Sequence, residues 1–315
     1  MAMIDAYVMK LIENLPLDLQ NTKSPLHMDI VLDGGAFNGS YLIGALHFLK
    51  EMEKRNYIKV HRISGCSVGS VAAFLYLLDR LDVMEYFHDF AATEFQSKHS
   101  LEKMIDLETL IKEKINVPPT FYNTVRKKLF ITYNNIKKHK TVVKSSYKDN
   151  KDILNTIVKS CFVPFLVSNS LLLKNKYLDG LNPYVFPFTK DKKNVERKIL
   201  YLDLFGYDKV KYLVNIKNEK SGFHRTLSGL LDIHNFFIKQ TNTEMCSYVN
   251  DWSIFNKGRY FLKKSIEKII LYAVYLLVFI KQRVIPRSIE KTFVYKILCN
   301  ISRDIYVLML NTYCL

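Results

Sequence analysis

Two glycine-rich turns that lie close together constrain the fold of this chain more than any other feature. The sequence has only 11 glycines in 315 residues, and six of them fall between positions 34 and 69. A chain so poor in glycine uses it where the backbone leaves no room for another side chain. The turns are residues 33–39 (DGGAFNG) and 65–69 (GCSVG). They predict one loop that offers backbone N–H groups and one sharp elbow that presents Ser67.

Strands and helices alternate around the two turns. Apolar runs at 29–33 and 58–63 predict buried strands. Apolar residues at helical spacing predict an amphipathic helix over about 40–54, and 70–78 has the composition of a buried helix. This order is typical of a parallel βαβα unit, in which ligands bind at the carboxyl ends of the strands. Both glycine turns lie at those ends.

The rest of the chain has weaker patterns. Residues 112–159 are rich in lysine and are broken by Pro118-Pro119, which predicts a solvated cap or insertion. Strand-like runs follow at 171–173, at 176–178 and twice within 196–216. The run at 176–178 leads into Asp179-Gly180. Beyond about residue 226 the chain is predicted to be mostly helical.

The G-x-S-x-G elbow has alternatives, because this short pattern also occurs in structural turns without chemistry. The loop at 34–39 could instead cradle a phosphate, but it lacks the Lys-Ser/Thr ending of a Walker loop and does not match G-x-G-x-x-G. The strand before the elbow and the helix after it are what a nucleophile elbow requires. Asp179, at the end of another strand, would supply the base that a serine nucleophile needs.

The three elements, in this order, resemble the patatin-like phospholipases: a glycine-rich loop, G-x-S-x-G and then Asp-Gly. Residues 160–165 (SCFVPF) also look like the family's Ser-x-x-x-Pro segment. The resemblance covers about residues 27–190. It implies an α/β fold, a three-layer α/β/α sandwich with a mostly parallel central sheet, with a largely helical C-terminal region added here. It also implies a catalytic dyad of serine and aspartate without histidine.

The resemblance further implies a role for each matching residue. Ser67 would be the nucleophile, Asp179 the base, and the backbone amides of Gly34, Gly35 and Ala36 the oxyanion hole. The glycines that support these motifs are Gly39, Gly65, Gly69 and Gly180. The implied activity is a phospholipase A-type hydrolysis of fatty-acyl esters in membrane phospholipids. Such chemistry calls for no metal and no organic cofactor.

Three positions depart from the family pattern. Ala36 stands at the usual third glycine of the loop, and Asn38 stands at a frequently basic position. Leu181 follows Asp179-Gly180 where a second Gly or Ala is common. Alanine still supplies an N–H at position 36, provided that the position does not require a positive φ. None of the three changes removes a catalytic group.

Two rival functions remain open on sequence alone. One is an α/β-hydrolase lipase with a Ser-Asp-His triad, for which His224 and His234 are the histidines that follow Asp179. The other is a catalytically silent protein that binds lipid or nucleic acid. Nucleic acid is disfavoured, because the chain carries no recognised binding motif beyond its bulk positive charge.

Charge and hydropathy point to a membrane surface. Lys+Arg number 46 against 30 Asp+Glu, a net charge of +16. Residues 251–315 alone hold 11 Lys+Arg and four Asp+Glu around the apolar run 269–280. As a helix, these 12 residues would be about 18 Å long against a bilayer core of about 30 Å. The run is therefore a buried helix, an interfacial helix or an anchor, and we predict peripheral docking on anionic lipid.

The predicted organisation is a catalytic domain at 27–216, including the insertion at 112–159, followed by a mostly helical basic and apolar region at 217–315. The five cysteines are odd in number, scattered and never paired as C-x-x-C. This usage predicts a reducing, cytoplasmic compartment with peripheral membrane association. The abundance of Lys, Ile and Asn fits an AT-rich genome, such as that of a large DNA virus.

Overall fold

The computed structural model describes residues 2–21, 24–168, 170–188, 197–206, 209, 212–217, 222–280 and 292–314. The helices are α1 (Ala2–Glu13), α2 (Leu17–Gln20), α3 (Gly39–Lys54), α4 (Val68–Leu77), α5 (Asp82–Lys98), α6 (Leu107–Lys114), α7 (Phe121–Thr124), α8 (Asn150–Ser160), α9 (Phe223–Lys239), α10 (Ile254–Phe279) and α11 (Phe293–Tyr313). The strands are β1 (Leu26–Leu32), β2 (Ile58–Gly65), β3 (Leu129–Asn135), β4 (Lys140–Lys144), β5 (Tyr177–Leu178), β6 (Lys198–Leu202) and β7 (Cys246–Tyr248). Short 3₁₀ turns include Ala36–Asn38 and Glu102–Asp106.

The strands form one mixed sheet with a parallel centre. Its order is β4-β3-β2-β1-β6-β7, and β5 pairs with β3 beside this path. The neighbours β3, β2, β1 and β6 run parallel, whereas β4, β5 and β7 pair antiparallel. Because parallel strands need crossover connections, helices follow β1 and β2 and cover the sheet. The predicted α/β fold with a mostly parallel sheet centre is confirmed.

The side chains of the central strands alternate between two apolar layers. Met28, Ile30 and Leu32 of β1 join the large core formed with the helices, whereas Val31 points into a smaller cluster on the other face. The smaller cluster is closed by Tyr184–Phe186, Trp252 and Tyr260. A strand covered on both faces reads as a continuous apolar run, which is the pattern of β1.

The βαβα unit around the glycine turns is confirmed, with bounds that differ by a few residues from those predicted. β1 and β2 pair in parallel along their whole length, from Leu26 opposite Ile58 to Leu32 opposite Gly65. The helix expected at 40–54 is α3, and the one expected at 70–78 is α4. These predictions hold because apolar periodicity and glycine position are local signals.

The segment 112–159 differs from the predicted solvated insertion. Its central part supplies β3, which pairs in parallel with β2, and β4, which pairs with β3. Leu129 and Ile131 are fully buried in the core. The strand β3 has only seven residues and lies between lysine-rich turns. The prediction missed it because the lysine content was averaged over the whole segment.

Two other strand predictions hold only in part. The run at 171–173 contributes a single bridge, in which Leu173 pairs with Tyr177, and only Tyr177–Leu178 is a strand. Of the two runs expected within 196–216, the first is β6. The second falls partly outside the described residues, and residues 212–217 are not a strand.

The region after residue 216 is mostly helical, as predicted, but it is not a separate packing unit. A Cβ on Gly229 of α9 would lie 1.9 Å from the carbonyl oxygen of Tyr41, so α9 packs backbone to backbone on α3. β7 extends the central sheet beside β6. The structure therefore differs from a division at 216/217, since α9 and β7 complete the α/β unit.

The helix α10 contains the apolar run 269–280 almost entirely. Along this helix only Val274 is buried, and large apolar side chains such as Phe261, Ile269 and Tyr272 are about 70% exposed. Among the helices of the described residues, none is both long enough and apolar enough to cross a bilayer.

Candidate active site

Ser67 sits on a sharp turn between β2 and α4. Its backbone has φ 49° and ψ −132°, a conformation that costs a non-glycine residue of order 1–3 kcal/mol. The turn is possible because Gly69 lets the end of β1 approach closely: a Cβ there would lie 2.4 Å from the Asp33 carbonyl oxygen. The side chain of Ser67 is only half-buried and can be reached from outside. The predicted elbow geometry is therefore present.

Hydroxyl groups from two other elements hold this turn. The Ser67 N–H donates to Ser160 Oγ at 2.9 Å, and Ser160 Oγ donates to the Thr132 carbonyl oxygen at 2.6 Å. Ser70 donates its N–H and its hydroxyl to the Ser67 carbonyl oxygen at 2.9 and 2.6 Å. Ser160 is the first residue of the Ser-x-x-x-Pro segment, so the sequence pattern located a residue that supports the elbow.

Asp179 follows β5 directly, and its side chain is buried. Asp179 Oδ1 accepts the Leu181 N–H at 2.7 Å, and the Asp179 N–H donates to the Phe162 carbonyl oxygen at 2.9 Å. The other oxygen, Oδ2, has no hydrogen-bond partner among the described residues. Gly180 allows this position, because a Cβ on it would lie 2.2 Å from the Thr132 carbonyl oxygen.

The fold brings Ser67 and Asp179 together from distant parts of the chain. Burial raises the pKa of Asp179 to about 7, while the Leu181 N–H and then the Ser67 side chain act to lower that pKa. No hydrogen bond of ordinary geometry joins the two side chains in this structure, although the Ser67 hydroxyl interacts with the carboxyl group. A carboxyl group with a pKa near neutrality suits a general base.

The glycine-rich loop lies against the elbow, but its three predicted oxyanion donors are not equivalent. A Cβ on Gly34 would lie 3.1 Å from Ser67 Cβ, which places the loop directly beside the serine. The Gly34 N–H, however, donates to Asp33 Oδ1 at 3.0 Å. The N–H groups of Gly35 and Ala36 have no protein acceptor among the hydrogen bonds of the described residues. Gly35 and Ala36 are thus the available donors in this structure.

Two departures from the family pattern have structural consequences. Ala36 has φ 43°, which lies in the left-handed region of the backbone. An alanine at this position is therefore less favourable than the glycine that the family usually has there. Asn38 is fully buried and donates its amide to the carbonyl oxygens of Leu204 and Lys209 at 3.1 and 2.9 Å. It accepts from the buried Arg225 at 3.0 Å, so it ties the loop to the fold.

An apolar cavity of about 120 Å³ opens next to Ser67. Its lining includes Ala36 of the loop, Val71 of α4, Phe87 and Ala91 of α5, and Leu166. No cluster of three or more His, Cys, Asp or Glu side chains that could hold a metal ion occurs among the described residues. The site can therefore accept an apolar group beside a serine hydroxyl.

Neither histidine of the alternative triad contacts the aspartate. His224 is exposed, and His234 is buried with its ring 5.9 Å from that of Phe48. Burial lowers the pKa of His234. Within the described part of the chain, the groups that interact with the Asp179 carboxyl include Leu181, Ser67, Glu267, Cys66 and Cys161, and neither histidine is among them. A third histidine, His88, lines the apolar cavity, with its ring 6.0 Å from that of Phe37.

The groups that α10 places beside the site are not evident from the sequence. Lys263 Nζ forms an ion pair with Asp33, at the start of the glycine-rich loop. Arg259 forms an ion pair with Asp203 at 3.2 Å, and Glu267 accepts a hydrogen bond from Asn182. Arg259, Lys263 and Glu267 are spaced four residues apart, which places them on one side of a helix. This spacing does not indicate which residues of the catalytic unit they contact.

Comparison with known proteins gave a match to a family model. A search of curated proteins found no match. A family model described as Patatin-like phospholipase matches residues 30–184, a segment that includes the glycine-rich loop, Ser67 and Asp179. Proteins of this family are typically lipid acyl hydrolases. Residues 30–184, just under half of the chain, therefore form a patatin-like phospholipase domain.

Proposed function

We propose that this protein is a serine lipid acyl hydrolase of phospholipase A type, which cleaves fatty-acyl ester bonds of membrane phospholipids. The observation that carries the proposal is the juxtaposition of Ser67, on its strained elbow, with the buried Asp179 carboxyl group beside an apolar cavity. A buried carboxyl group or an apolar cavity alone would not indicate a hydrolase, since both occur in proteins without catalytic activity.

In the proposed reaction, Ser67 Oγ attacks the ester carbonyl carbon while Asp179 takes the serine proton. The tetrahedral oxyanion accepts hydrogen bonds from the N–H groups of Gly35 and Ala36. Asp179 then returns the proton to the departing alcohol oxygen, which leaves an acyl-enzyme and a lysophospholipid. Asp179 next takes a proton from a water molecule as the water oxygen attacks the acyl-enzyme carbonyl carbon. It then gives this proton to Ser67 Oγ as the bond between Ser67 Oγ and the acyl carbon breaks, which releases the fatty acid and restores the free enzyme.

The magnitudes of these effects fit an acyl transfer. General base catalysis contributes about 10²–10⁴-fold, and each well-aimed oxyanion donor contributes about 10²–10³-fold. The helix α4 begins at Val68, so the positive end of its dipole lies at Ser67. The apolar cavity favours binding of a fatty-acyl chain over binding of a polar acyl group, because a polar group buried there without a hydrogen-bond partner would cost free energy.

Membrane contact forms the second part of the proposal, and α10 supports it. The inward side of this helix carries Arg259, Lys263 and Glu267, all paired with polar groups of the catalytic unit. Its outward side carries exposed aromatic and aliphatic residues, among them Phe261 and Ile269. This arrangement is the reverse of an ordinary surface helix, which buries its apolar face.

Anionic lipid fits this outward face better than a second copy of the chain does. Lys257 and Lys268 are exposed on α10 and form no ion pair with a described residue. Anionic headgroups would attract them, whereas self-association through this face would bring like charges together. Leu262 and Ile266 of the same helix line a cleft that they share with Leu181 and Asn182, next to Asp179. The face therefore continues to the segment that directly follows Asp179-Gly180.

A fluorophosphonate probe, which reacts with activated serines, tests the catalytic assignment. Wild-type protein should be labelled, and Ser67→Ala should not be labelled while keeping the wild-type circular dichroism spectrum. Ser97→Ala is the matched control, because Ser97 is exposed on α5 and donates to the Thr93 carbonyl oxygen. Labelling of Ser67→Ala at the wild-type rate would contradict the role of Ser67.

The substrate is tested separately with mixed micelles of defined phosphatidylcholine and a neutral detergent, so that membrane docking plays no part, and the products are read by mass spectrometry. A phospholipase A-type reaction releases free fatty acid and lysophosphatidylcholine in equal amounts, and Ser67→Ala should release neither. Release from neutral glycerides but not from phospholipid would contradict the phospholipid substrate while leaving the serine hydrolase intact.

A further inference from the structure

The carboxyl group of Asp33 occupies a central place in the site that the proposed reaction does not use. Asp33 follows β1 directly and is fully buried. Its Oδ1 accepts the Gly34 N–H at 3.0 Å, and its Oδ2 accepts the Tyr201 hydroxyl at 3.2 Å. Because a Cβ on Gly34 would lie 3.1 Å from Ser67 Cβ, Asp33 sets the orientation of the peptide beside the nucleophile.

Lys263 reaches this carboxyl group from α10, far outside the segment 30–184 that matches the family model. Lys263 Nζ lies 4.3 Å from the centre of the Phe205 ring and 4.0 Å from Asp203 Oδ1. Arg259, one turn earlier on α10, pairs with Asp203 at 3.2 Å. The lysine is therefore held in place by two residues of the segment after β6 besides Asp33, and its side chain is only 19% exposed.

The electrostatics of this pocket depend on Lys263. The titratable groups facing the Asp33 carboxyl are Lys263 and Tyr260 of α10, Tyr201 of β6, Asp203 after β6 and Cys66 after β2. Burial raises the pKa of Asp33, Lys263 lowers it and Asp203 raises it, and together these effects bring the pKa to about 7. Among the described groups in this set, Lys263 is the one cation. Without Lys263, the carboxyl group would bind a proton at neutral pH.

We propose that Lys263 is a positioning residue, whose ion pair with Asp33 favours the ionised carboxylate, so that Asp33 holds the glycine-rich loop in place for the oxyanion. A neutral Asp33 carries a proton of its own and accepts the Gly34 N–H more weakly, because hydrogen bonds to ionised acceptors are stronger. The C-terminal helix thus completes a site whose reacting groups all lie within 30–184. This role rests on the proposed hydrolase function.

The test measures kcat and KM of the full chain on a water-soluble short-chain ester, from pH 5.5 to 9, so that lipid binding plays no part. Lys263→Met keeps the apolar stem and removes the charge. We expect kcat at pH 7 to fall about 10–100-fold with KM within about threefold, because the lost effect acts on the oxyanion. The acid limb of the pH profile should move up by about one pH unit or more.

Three further variants make the result specific. Lys263→Arg keeps the charge and should stay within about threefold of wild type with an unmoved acid limb. Lys264→Met is the matched control, because Lys264 is exposed on the same helix. In an Asp33→Asn background, where no carboxyl group is left to ionise, Lys263→Met should cost less than about threefold.

The outcomes separate this role from the proposed function. Folded Lys263→Met with wild-type kcat and an unmoved acid limb would overturn the role of Lys263, and so would an undiminished loss in the Asp33→Asn background. Wild-type protein that neither hydrolyses the ester nor takes the fluorophosphonate would instead refute the hydrolase itself. If Lys263→Met does not fold, a Lys263→Arg enzyme with a lowered kcat or a moved acid limb would also overturn the role.

Discussion

At the scale of single residues, the site combines a strained backbone with a buried carboxyl group. Ser67 has a positive φ, and burial raises the pKa of Asp179 to about 7. Both features cost folding free energy, and such costs persist where the surrounding structure fixes them. Ser160 and Ser70 provide that fixation at the elbow through hydrogen bonds to the Ser67 backbone.

Asp179→Asn separates the dyad from a triad. Removing the base should lower kcat by about 10²–10⁴-fold, as expected for the loss of general base catalysis. His224→Ala and His234→Ala should keep kcat near that of wild type, because neither side chain contacts Asp179. Ester hydrolysis by purified variants, checked for folding by circular dichroism, measures the difference. A large loss in a folded histidine variant would favour the triad.

The same carboxyl group sets the pH dependence of the wild-type enzyme. Asp179 accepts a proton only when it is ionised, and its pKa is raised to about 7. As pH falls through 7 the base becomes protonated, so kcat/KM should decrease by about tenfold or more per pH unit below that value, and more steeply where Asp33, whose pKa is also about 7, gains a proton as well. A kcat/KM that is flat between pH 5 and 7 would contradict this assignment.

Ala36→Gly should stabilise the protein. Ala36 has φ 43°, a region that costs an alanine roughly 1–2 kcal/mol and costs glycine little. We expect relief of the strain to raise the free energy of unfolding, measured in urea titrations, by about 1 kcal/mol. The greater conformational entropy of glycine in the unfolded chain offsets part of this gain. Ala45→Gly, inside α3, is the matched control and should destabilise the protein by about 1 kcal/mol or more. Equal destabilisation by both would show that position 36 is not strained.

At the scale of secondary-structure elements, the site is assembled where several elements end. β1 ends at the glycine-rich loop, β2 ends at the elbow, and β5 ends at Asp179. The segment behind α8 supplies the Phe162 carbonyl oxygen that fixes the Asp179 backbone. The helix α5 adds the apolar wall with Phe87 and Ala91. Acyl selectivity is therefore expected to reside in α5 rather than in the strands.

Ala91→Leu should shorten the preferred acyl chain. The added side chain would fill part of a cavity of about 120 Å³ without touching Ser67 or Asp179. On a series of p-nitrophenyl esters, kcat/KM should fall about tenfold or more for chains of about eight carbons and stay within about threefold for acetate, since one or two displaced methylenes are worth roughly 1–3 kcal/mol. An unchanged chain-length profile would mean that the acyl group binds elsewhere.

At the scale of the whole molecule, two C-terminal helices flank the site from opposite sides. α10 reaches Asp33 and Asn182 through its polar side chains, and Leu310 of α11 packs into a cluster with Phe37 and Phe95. Both helices also expose apolar residues, which in α11 include Ile301, Ile305 and Leu308. Exposed apolar patches of this extent mark interaction surfaces.

Liposome co-sedimentation tests the proposed lipid surface. Wild-type protein should bind anionic vesicles and bind neutral ones little, and high salt should release it, because each well-placed lysine contributes about 1 kcal/mol before screening. The double variant Phe261→Ser/Ile269→Ser should weaken binding at least tenfold, since both side chains are about 70% exposed on the outward face. Binding to neutral and anionic vesicles alike, or binding that survives high salt, would contradict electrostatic docking.

Self-association is the competing occupant of this face. Wild-type protein without lipid should elute as a monomer in size-exclusion chromatography across a hundredfold range of concentration. A dimer that the Phe261→Ser/Ile269→Ser variant abolishes would assign the face to a second copy instead.

The sequence alone determined the parts of the site that depend on local backbone geometry. Glycine spacing predicted both turns, and apolar periodicity predicted β1, α3, β2 and α4, because these signals lie within a few residues of the structure they specify. The resemblance of the motifs selected Ser67 and Asp179, and the family match includes both. It also selected the Ser160 segment, although not the hydrogen bonds that Ser160 makes.

Only the tertiary structure decided which groups meet across long stretches of chain. The strand β3 was not predicted, because it lies in a lysine-rich segment. The contact between Lys263 and Asp33, which are 230 residues apart, was not predicted either. The sequence also left Gly34, Gly35 and Ala36 equivalent, whereas the folded chain engages the Gly34 N–H and leaves Ala36 with a positive φ. These outcomes depend on burial and on charge pairing between remote elements. Neither has a local signature, because both arise from the way helices pack against the ends of strands.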